Sequence, residues 1–493
     1  MTAEPIVRDA ESPDGPGGTP DPVDPPGGVW SPGRRRLTAA LVLTITLVAF
    51  ESLAIATVMP VVADDLGGLG LYGWVFSGFF LGSLLGIVLA GRAADRLGTR
   101  RPFAVGLALF AAGLIVGGAA QSMPMLVAGR VAQGMGAGAI PAVAYTTVGR
   151  SYPATIRPRV FFVFSTAWVV PGVVGPAAAS AIEGAASWRV VFLALLPLVG
   201  LAAALALPVL SAGVPGTAGD RAAGTTVGTT AATAEAPADD ERRRDAFVLV
   251  AGVALVLAGL GAHQAWLAVA LVAAGGPPAA WAFVRLVPEG TVALHRGLPA
   301  AVAARGILTF AFFGTDAYVS LAITDARDQP LWLAGVALTG ATLAWTTGAW
   351  IQQRLVVQRG PRWLVRRGLA VVAAGLVLMM VSLGPVPVAL AVAAWSVGGL
   401  GMGLSYAPIS VTVLGTAAPG QEGRASASLQ LTDVLGVSLG TGMAGVFVAL
   451  GDGRGWATGS SLTIAFVVTL AAALGGVAAA GRLPRSLPGT AAP

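Results

Sequence analysis

Residues 37–61 read LTAALVLTITLVAFESLAIATVMPV, a run of 25 residues in which Glu51 is the single charged side chain. At about 1.5 Å of rise per residue, a helix of that length crosses the ~30 Å apolar core of a bilayer. The run follows Arg34-Arg35-Arg36, and similar runs recur to the end of the chain. Of the 493 residues 55% are hydrophobic and 11% charged, whereas soluble domains carry about 25% charge. A soluble globular fold is therefore excluded. The 12 Trp, 17 Phe and 5 Tyr are scattered through long runs, unlike the alternating pattern of an outer-membrane barrel.

The charges that remain are placed by sidedness. All 30 basic residues are Arg, with no Lys and no Asn, a composition that fits a GC-rich bacterial genome. The net charge of +6 does not signal nucleic acid, because the Arg residues sit in short loops between apolar runs. There is no Cys, so disulfides and thiolate chemistry are ruled out. His263 and His295 are the two histidines, too few for a His-based metal site. Both are read as solvated loop residues.

Working outward from the first run, residues 1–36 form a Pro-, Gly- and acid-rich tail expected to be disordered and cytoplasmic. It lacks the layout of a cleavable signal peptide. Six spans are expected at 37–61, 73–94, 102–120, 124–149, 158–183 and 187–209, making an N-terminal bundle over 37–209. A flexible cytoplasmic linker follows at 210–245. Ala246 to Val284 is 39 residues without an Asp, Glu or Arg. This is read as an extra helix pair, 247–262 and 265–286, bent at Pro277-Pro278, within an insertion at 246–297. Six further spans are expected at 298–324, 330–353, 365–383, 386–414, 425–450 and 458–480, making a C-terminal bundle over 298–480. A cytoplasmic tail follows at 481–493. With fourteen helices and both termini inside, Arg falls overwhelmingly on the cytoplasmic side, as the positive-inside rule asks. The exceptions are Arg189, Arg327 and Arg454 outside, and Arg130 and Arg305 within spans.

The two bundles are related by a constant offset. Leu43-Thr44 before Glu51 matches Leu308-Thr309 before Asp316, 265 residues on. The same offset carries Gly134, Gly136 and Gly138 to Gly399, Gly401 and Gly403, and Gly175 to Gly440. The fold expected is an all-α integral membrane protein of two six-helix pseudo-repeats with an extra helix pair between them. Paired repeats of this kind place a substrate site near the membrane midplane.

Five motifs carry a resemblance. Gly91-Arg92-Ala93-Ala94-Asp95-Arg96-Leu97-Gly98-Thr99-Arg100-Arg101 closely resembles the cytoplasmic signature loop of the major facilitator superfamily, G-x-L-A-D-R-x-G-R-R, with Ala93 where Leu is usual. A weaker copy, Gln358-Arg359-Gly360-Pro361-Arg362, lacks the acid. Arg130-Val131-Ala132-Gln133-Gly134-Met135-Gly136 resembles the family's R-x-x-Q-G-x-G motif. Pro171-Gly172-Val173-Val174-Gly175-Pro176-Ala177-Ala178-Ala179-Ser180 resembles its antiporter motif, with Pro171 replacing the first Gly. In the first span Glu51 replaces the Asp of the first-helix motif L-D-x-T-I-V-N-V-A-L-P, and Thr57 and Pro60 keep its frame. Trp188-Arg189-x-x-Phe192 resembles the family's start of the sixth helix. The resemblance points to the drug:proton antiporter branch with fourteen helices. It implies that Gly91, Asp95, Arg96, Gly98, Arg100 and Arg101 form a conformational loop, that Arg130 couples protons, and that Gly172, Gly175 and Pro176 belong to an antiporter-like helix.

The residues themselves point to proton chemistry. Glu51, Asp316 and Asp433 lie well inside apolar runs, where an ionisable side chain is expensive and usually faces a cavity. A proton and a cargo competing for these carboxylates is the simplest exchange. Gln133, Phe312, Tyr318, Trp345, Trp395 and Tyr406, with Phe313 and Trp350, are candidates to line an apolar cavity. The function expected is a proton-coupled exporter of small amphipathic or lipophilic compounds, such as antibiotics. The alternative is an importer or uniporter of a small nutrient. No metal and no cofactor is expected, the proton gradient being the energy source. The Gly134 and Gly399 clusters lack the strand that precedes a nucleotide loop. An enzyme is not expected, since no nucleophile–base set is present. The expected partners are protons, a small-molecule substrate and the lipid bilayer, without nucleic acid. A monomer in the bacterial cytoplasmic (inner) membrane is expected.

Overall fold

A computed structural model describes residues 28–32, 34–152, 156–210, 236–262, 264–418 and 421–486. Most of the expected tail at 1–36, most of the linker at 210–245, the end of the tail at 481–493, His263 and the Asp95 side chain lie outside the described residues. Among the described residues there are helices and turns and no strand.

In the N-terminal half, α1 is Arg35–Leu66, α2 Tyr72–Leu97, α3 Arg100–Gly118 and α4 Met123–Ser151. The fifth expected span is built of α5, Arg157–Thr166, and α6, Val169–Ala185, and the sixth of α7, Trp188–Leu193, and α8, Leu196–Ala206. The inserted pair is α9, Ala236–Leu260, and α10, Ala265–Leu286. The C-terminal half comprises α11, Leu298–Thr324, α12, Leu331–Ser382, α13, Ala389–Thr416, α14, Glu422–Asp452, and α15, Thr458–Ala479. Ten helical stretches among the described residues are long and apolar enough to cross a membrane. The α12 helix, with 52 residues, is two arms joined at Gly360, whose φ of 71° breaks the helix ahead of Pro361. Gly67 and Gly98 end α1 and α2 with φ of 63° and 75°, the left-handed conformation that favours glycine at a helix end.

Three boundaries differ from the sequence expectation. The α9 helix begins at Ala236 rather than after Asp245. Glu241 and Asp245, four residues apart and so on one face, both bond Arg285 of α10, at 3.1 and 2.8 Å. The hairpin therefore extends past its apolar part. Residues at the edge of the expected N-terminal tail are docked: Val29 is buried and its carbonyl accepts from Thr38 at 2.9 Å. At the other end Arg362 Nε donates to Leu483 O at 2.6 Å, which holds the start of the expected C-terminal tail beside the break at Gly360.

Glycine sets the close packing in both halves. A Cβ on Gly134 or Gly138 would lie 2.0 Å from the Phe79 or Ser83 carbonyl oxygen, so α4 rides directly on the backbone of α2. On its other face a Cβ on Gly136 would lie 2.4 Å from Gly106 O of α3. Gly399 and Gly403 approach Ala341 O and Trp345 O in the first arm of α12 in the same way, at 2.1 Å, and Gly401 approaches Gly368 O in the second arm at 2.5 Å. Small residues at helix interfaces in lipid allow this backbone approach, which supplies dispersion contact where no hydrophobic effect drives association.

The halves meet along two main seams, α2 on α14 and α6 on the first arm of α12, with a smaller contact of α1 on α11. In the first, Ser438 Oγ donates to Ser77 O at 3.3 Å and a Cβ on Gly73 would lie 2.6 Å from Gly445 Cα; beside it Tyr72 OH donates to Ala317 O of α11 at 3.3 Å. In the second, Thr339 Oγ1 donates to Val173 O at 3.4 Å and Gly172 faces Thr342. These contacts run from the middle of the spans, at Ser438 and Val173, to the end bearing the 67–71, 325–330 and 453–457 loops, opposite the Arg-rich loops. The inserted α9 helix lies across the first seam, in contact with both α2 and α14.

Candidate functional site

In the N-terminal half the site is buried and closely bonded. Glu51 projects from α1 toward α4, and Arg130 and Gln133, three apart on α4, share the face that meets it. Arg130 Nη1 pairs with Glu51 Oε1 and donates to Gln133 Oε1 at 2.7 Å. Its Nε donates to Val75 O at 3.2 Å, and its guanidinium lies 4.2 Å from the Phe79 ring centroid. Glu51 and Arg130 are 1% and 2% exposed. Either charge alone would be expensive in hydrocarbon; pairing and added hydrogen bonds offset part of that desolvation. Two atoms stay without a partner among the described residues, Glu51 Oε2 and Gln133 Nε2.

The matching acid in the C-terminal half is held differently. Trp395 Nε1 donates to Asp316 Oδ1 at 2.7 Å. Asp316 is 79 residues before its donor, the separation that also relates Glu51 to Arg130. Among the described residues Asp316 has no arginine within ion-pair reach. It adjoins an aromatic group instead. Trp395 stacks on Phe312 with centroids 4.9 Å apart, Trp345 meets Phe312 edge-on at 5.7 Å, and Tyr406 lies 5.6 Å from Trp345. Phe313 closes on Phe312 and Trp345 at 5.2 and 6.2 Å.

A second charged group sits at the far side of Tyr406. The guanidinium of Arg305, in α11, lies 3.4 Å from the Tyr406 ring centroid, and its Nη2 donates to Ser410. Tyr406 OH donates to Asp433 Oδ2 at 3.0 Å, while Arg305 Nε and Asp433 Oδ1 are 3.8 Å apart. Arg305 is 2% exposed in its side chain and Asp433 25%. The sequence reading noted Arg305 merely as an arginine within a span; its partner Ser410 was missed. An in-span arginine and an in-span acid, Asp433, were the signal that could have joined them.

The other candidates fall in different places. Tyr318 stands in the contact between the halves, 5.2 Å from the Tyr72 ring, with its hydroxyl donating to Thr441 O at 2.8 Å. It is apart from the aromatic group. Trp350 is exposed, beneath Arg354. Gly172, Gly175 and Pro176 lie on α6; Gly172 faces Thr342 of α12, Gly335 of α12 faces Pro176, and Gly175 faces Phe50 and Leu53 of α1. In the signature loop Gly98 ends α2 and Arg100 and Arg101 start α3, with Arg96 exposed and open space beside Gly91. Trp188 and Arg189 both bond Asp65 at the end of α1, at 3.0 and 2.8 Å.

Comparison with known proteins bears on this arrangement. Residues 41–441 match the family described as Major Facilitator Superfamily. The chain is 26% identical over 456 residues to a protein of Mycobacterium tuberculosis described as a probable multidrug-efflux transporter, covering 89% of this chain and 93% of that one. It is 30% identical over 152 residues to multidrug resistance protein 3 of Bacillus subtilis, covering 31% of this chain and 30% of the other. Among solved structures it resembles a POT family transporter with a TM-score of 0.63 at 14% identity, covering 90% and 97% of the two chains. It also resembles an inward-facing bacterial homologue of the lysosomal transporter Spinster, with a TM-score of 0.61 at 13% identity, covering 92% and 97%. These likenesses establish a shared all-helical transporter fold.

Proposed function

Because the chain belongs to the major facilitator superfamily, we propose that it exports small amphipathic or lipophilic compounds in exchange for protons, by alternating access. We read it as a fourteen-helix exporter of the cytoplasmic membrane with both termini inside. The observation that carries the reading is the unequal treatment of two corresponding acids. Glu51 is neutralised by Arg130 in a sealed pocket, whereas Asp316 sits beside Phe312 and Trp395 with one indole donor and no arginine.

The division of labour follows from that inequality. A carboxylate beside aromatic faces attracts an organic cation by charge and by the ring quadrupoles. Protonation of Asp316 removes the charge and releases the cation. Protonation of Glu51 loosens its hold on Arg130, which leaves Arg130 to its bonds with Gln133 and Val75 and to the Phe79 ring. The contacts between the halves run from mid-span to the expected outer end, the arrangement of a state closed to the outside. Rocking of the halves about those seams would expose the acids to either side in turn. The curated efflux relatives support the direction of transport.

The test is efflux of a compound panel into everted membrane vesicles, with and without a proton uncoupler. Uncoupler-sensitive accumulation that Glu51→Gln and Asp316→Asn each abolish is the expected result. Transport that ignores both the uncoupler and the double substitution would overturn the reading and favour a uniporter.

A further inference from the structure

We propose that Arg305 and Asp433 form a docking subsite for a neutral cargo group that presents a hydrogen-bond acceptor and a donor side by side, as a primary carboxamide does. This rests on the reading that the C-terminal half carries cargo beside Asp316, and it names a chemistry that Asp316 does not supply.

The argument begins with what is left open. Arg305 Nε and Nη1 and Asp433 Oδ1 have no hydrogen-bond partner among the described residues. The separation of Nε from Oδ1, 3.8 Å, exceeds the roughly 2.7–2.9 Å of a charge-assisted hydrogen bond. The other atoms of both groups are committed. Ser410 and the Tyr406 ring hold the guanidinium, and the Tyr406 hydroxyl holds the second carboxylate oxygen. Two donors and one acceptor thus remain, fixed in place and unmet. Unmet polar groups in a buried setting are costly, so a group that satisfies both sides gains more than one that satisfies either.

Charge and access then select the ligand. Arg305 and Asp433 balance, so an ion bound there would leave a buried charge uncompensated. A neutral amide leaves the balance intact, with its carbonyl toward Arg305 and its NH2 toward Asp433. The corresponding orphans in the N-terminal half, Glu51 Oε2 and Gln133 Nε2, are sealed. Asp433 has a quarter of its side chain exposed, against 1% for Glu51, so this group borders open space, and the unmet atoms, covered as they stand, meet a ligand when the carboxylate turns outward. Trp345 lies 5.6 Å from Tyr406 and offers an apolar face to the rest of the molecule. Asp316 is eleven residues farther along α11, about 16 Å by helix rise, so the two subsites act independently.

Isothermal titration calorimetry on the purified full chain in detergent tests this with naphthalene-2-carboxamide and its N,N-dimethyl analogue. The dimethyl amide keeps the acceptor and loses the donor. Binding of the primary amide about tenfold or more tighter is expected, since a hydrogen bond to a charged group is lost with the donor. That preference should fall to near unity in Asp433→Asn and in Arg305→Gln, with thermal melting used to check that each variant is folded. Equal binding of the two amides by the unaltered chain, no binding of the primary amide, or a preference that survives in folded Asp433→Asn would each overturn the proposal. Tetraphenylphosphonium is the second arm. If its binding needs Asp316 while the amides are not discriminated, the subsite alone is wrong. If neither arm responds, the reading that cargo binds beside Asp316 falls with it.

Discussion

Trp395 donates its indole N–H to Asp316 at 2.7 Å, in the position where the other half of the chain places Arg130 against Glu51. One half therefore neutralises its acid with a full charge and the other with a dipole. Replacing Trp395 with Arg should convert the second arrangement into the first. Ethidium transport by Trp395→Arg should fall by at least about tenfold, the scale of a lost charge contact, while neutral compounds are still exported. Parallel efflux assays with ethidium and a neutral fluorophore measure it. Equal loss of both would show that position 395 serves packing against Phe312 alone.

The Glu51–Arg130 pair makes a prediction about stability. Removing one member of a buried pair strands the other, a loss of about 3–5 kcal/mol in known cases. Arg130→Ala should therefore melt well below the unaltered protein. A double Glu51→Gln, Arg130→Gln variant should recover most of the difference, because no charge is left in the buried pocket, yet fail to couple transport to protons. Thermal melting of purified protein followed by size exclusion, together with proton-driven uptake in vesicles, separates the two effects.

Glycine packing predicts a sharp contrast between positions. Gly134→Ala would put a methyl group 2.0 Å from Phe79 O, and Gly399→Ala one 2.1 Å from Ala341 O. Backbone must shift in both cases, a strain of at least about 1–3 kcal/mol on the scale of core overpacking. Gly475→Ala meets open space and should melt unchanged. Melting temperatures of the three variants check this, and equal tolerance at all three positions would contradict the close approach of α4 to α2.

Cross-linking tests whether the halves rock. The chain has no Cys, so introduced pairs face no background. Ser438 and Ser77 meet across the α2–α14 seam, and a disulfide between Ser77→Cys and Ser438→Cys should arrest transport until reductant is added. Ser428 donates to Leu286 O at 3.2 Å, tying the inserted hairpin to α14. A disulfide between Leu286→Cys and Ser428→Cys should leave transport intact, because it bridges the hairpin to α14 and spans no contact between the two halves. Full activity of the cross-linked Ser77/Ser438 pair would exclude rocking at this seam.

Much of the fold was legible along the chain because a bilayer imposes a simple rule. Backbone polar groups in hydrocarbon must bond within their own segment, so long apolar runs become helices, and Arg sidedness orders them. Span positions such as 298–324 and 458–480 follow directly. Less legible were the ends, where charges rather than apolar content decide. The extra turns of α9 depend on Arg285 reaching back from α10 to Glu241 and Asp245, a contact with no local signature.

Of the site, the acids were legible because a carboxylate in an apolar run is conspicuous, and a spacing of 79 residues in each half was present in the numbers. Which partner each acid takes was not. Tyr318 and Trp345 are both aromatic residues within apolar runs. One closes the contact between the halves and the other lies in the aromatic group near Asp316.

The chain by itself thus determined an all-helical bundle of membrane spans with acids inside apolar runs, since length, apolarity and charge act locally. Tertiary structure alone decided that Glu51 is sealed with Arg130, that Asp316 has an indole in place of a cation, and that Arg305 stands beside Asp433 with donors to spare. Those outcomes depend on how α4, α13 and α14 are rotated and seated against their neighbours. That seating is set by glycine contacts between helices distant in sequence, which no span carries within itself.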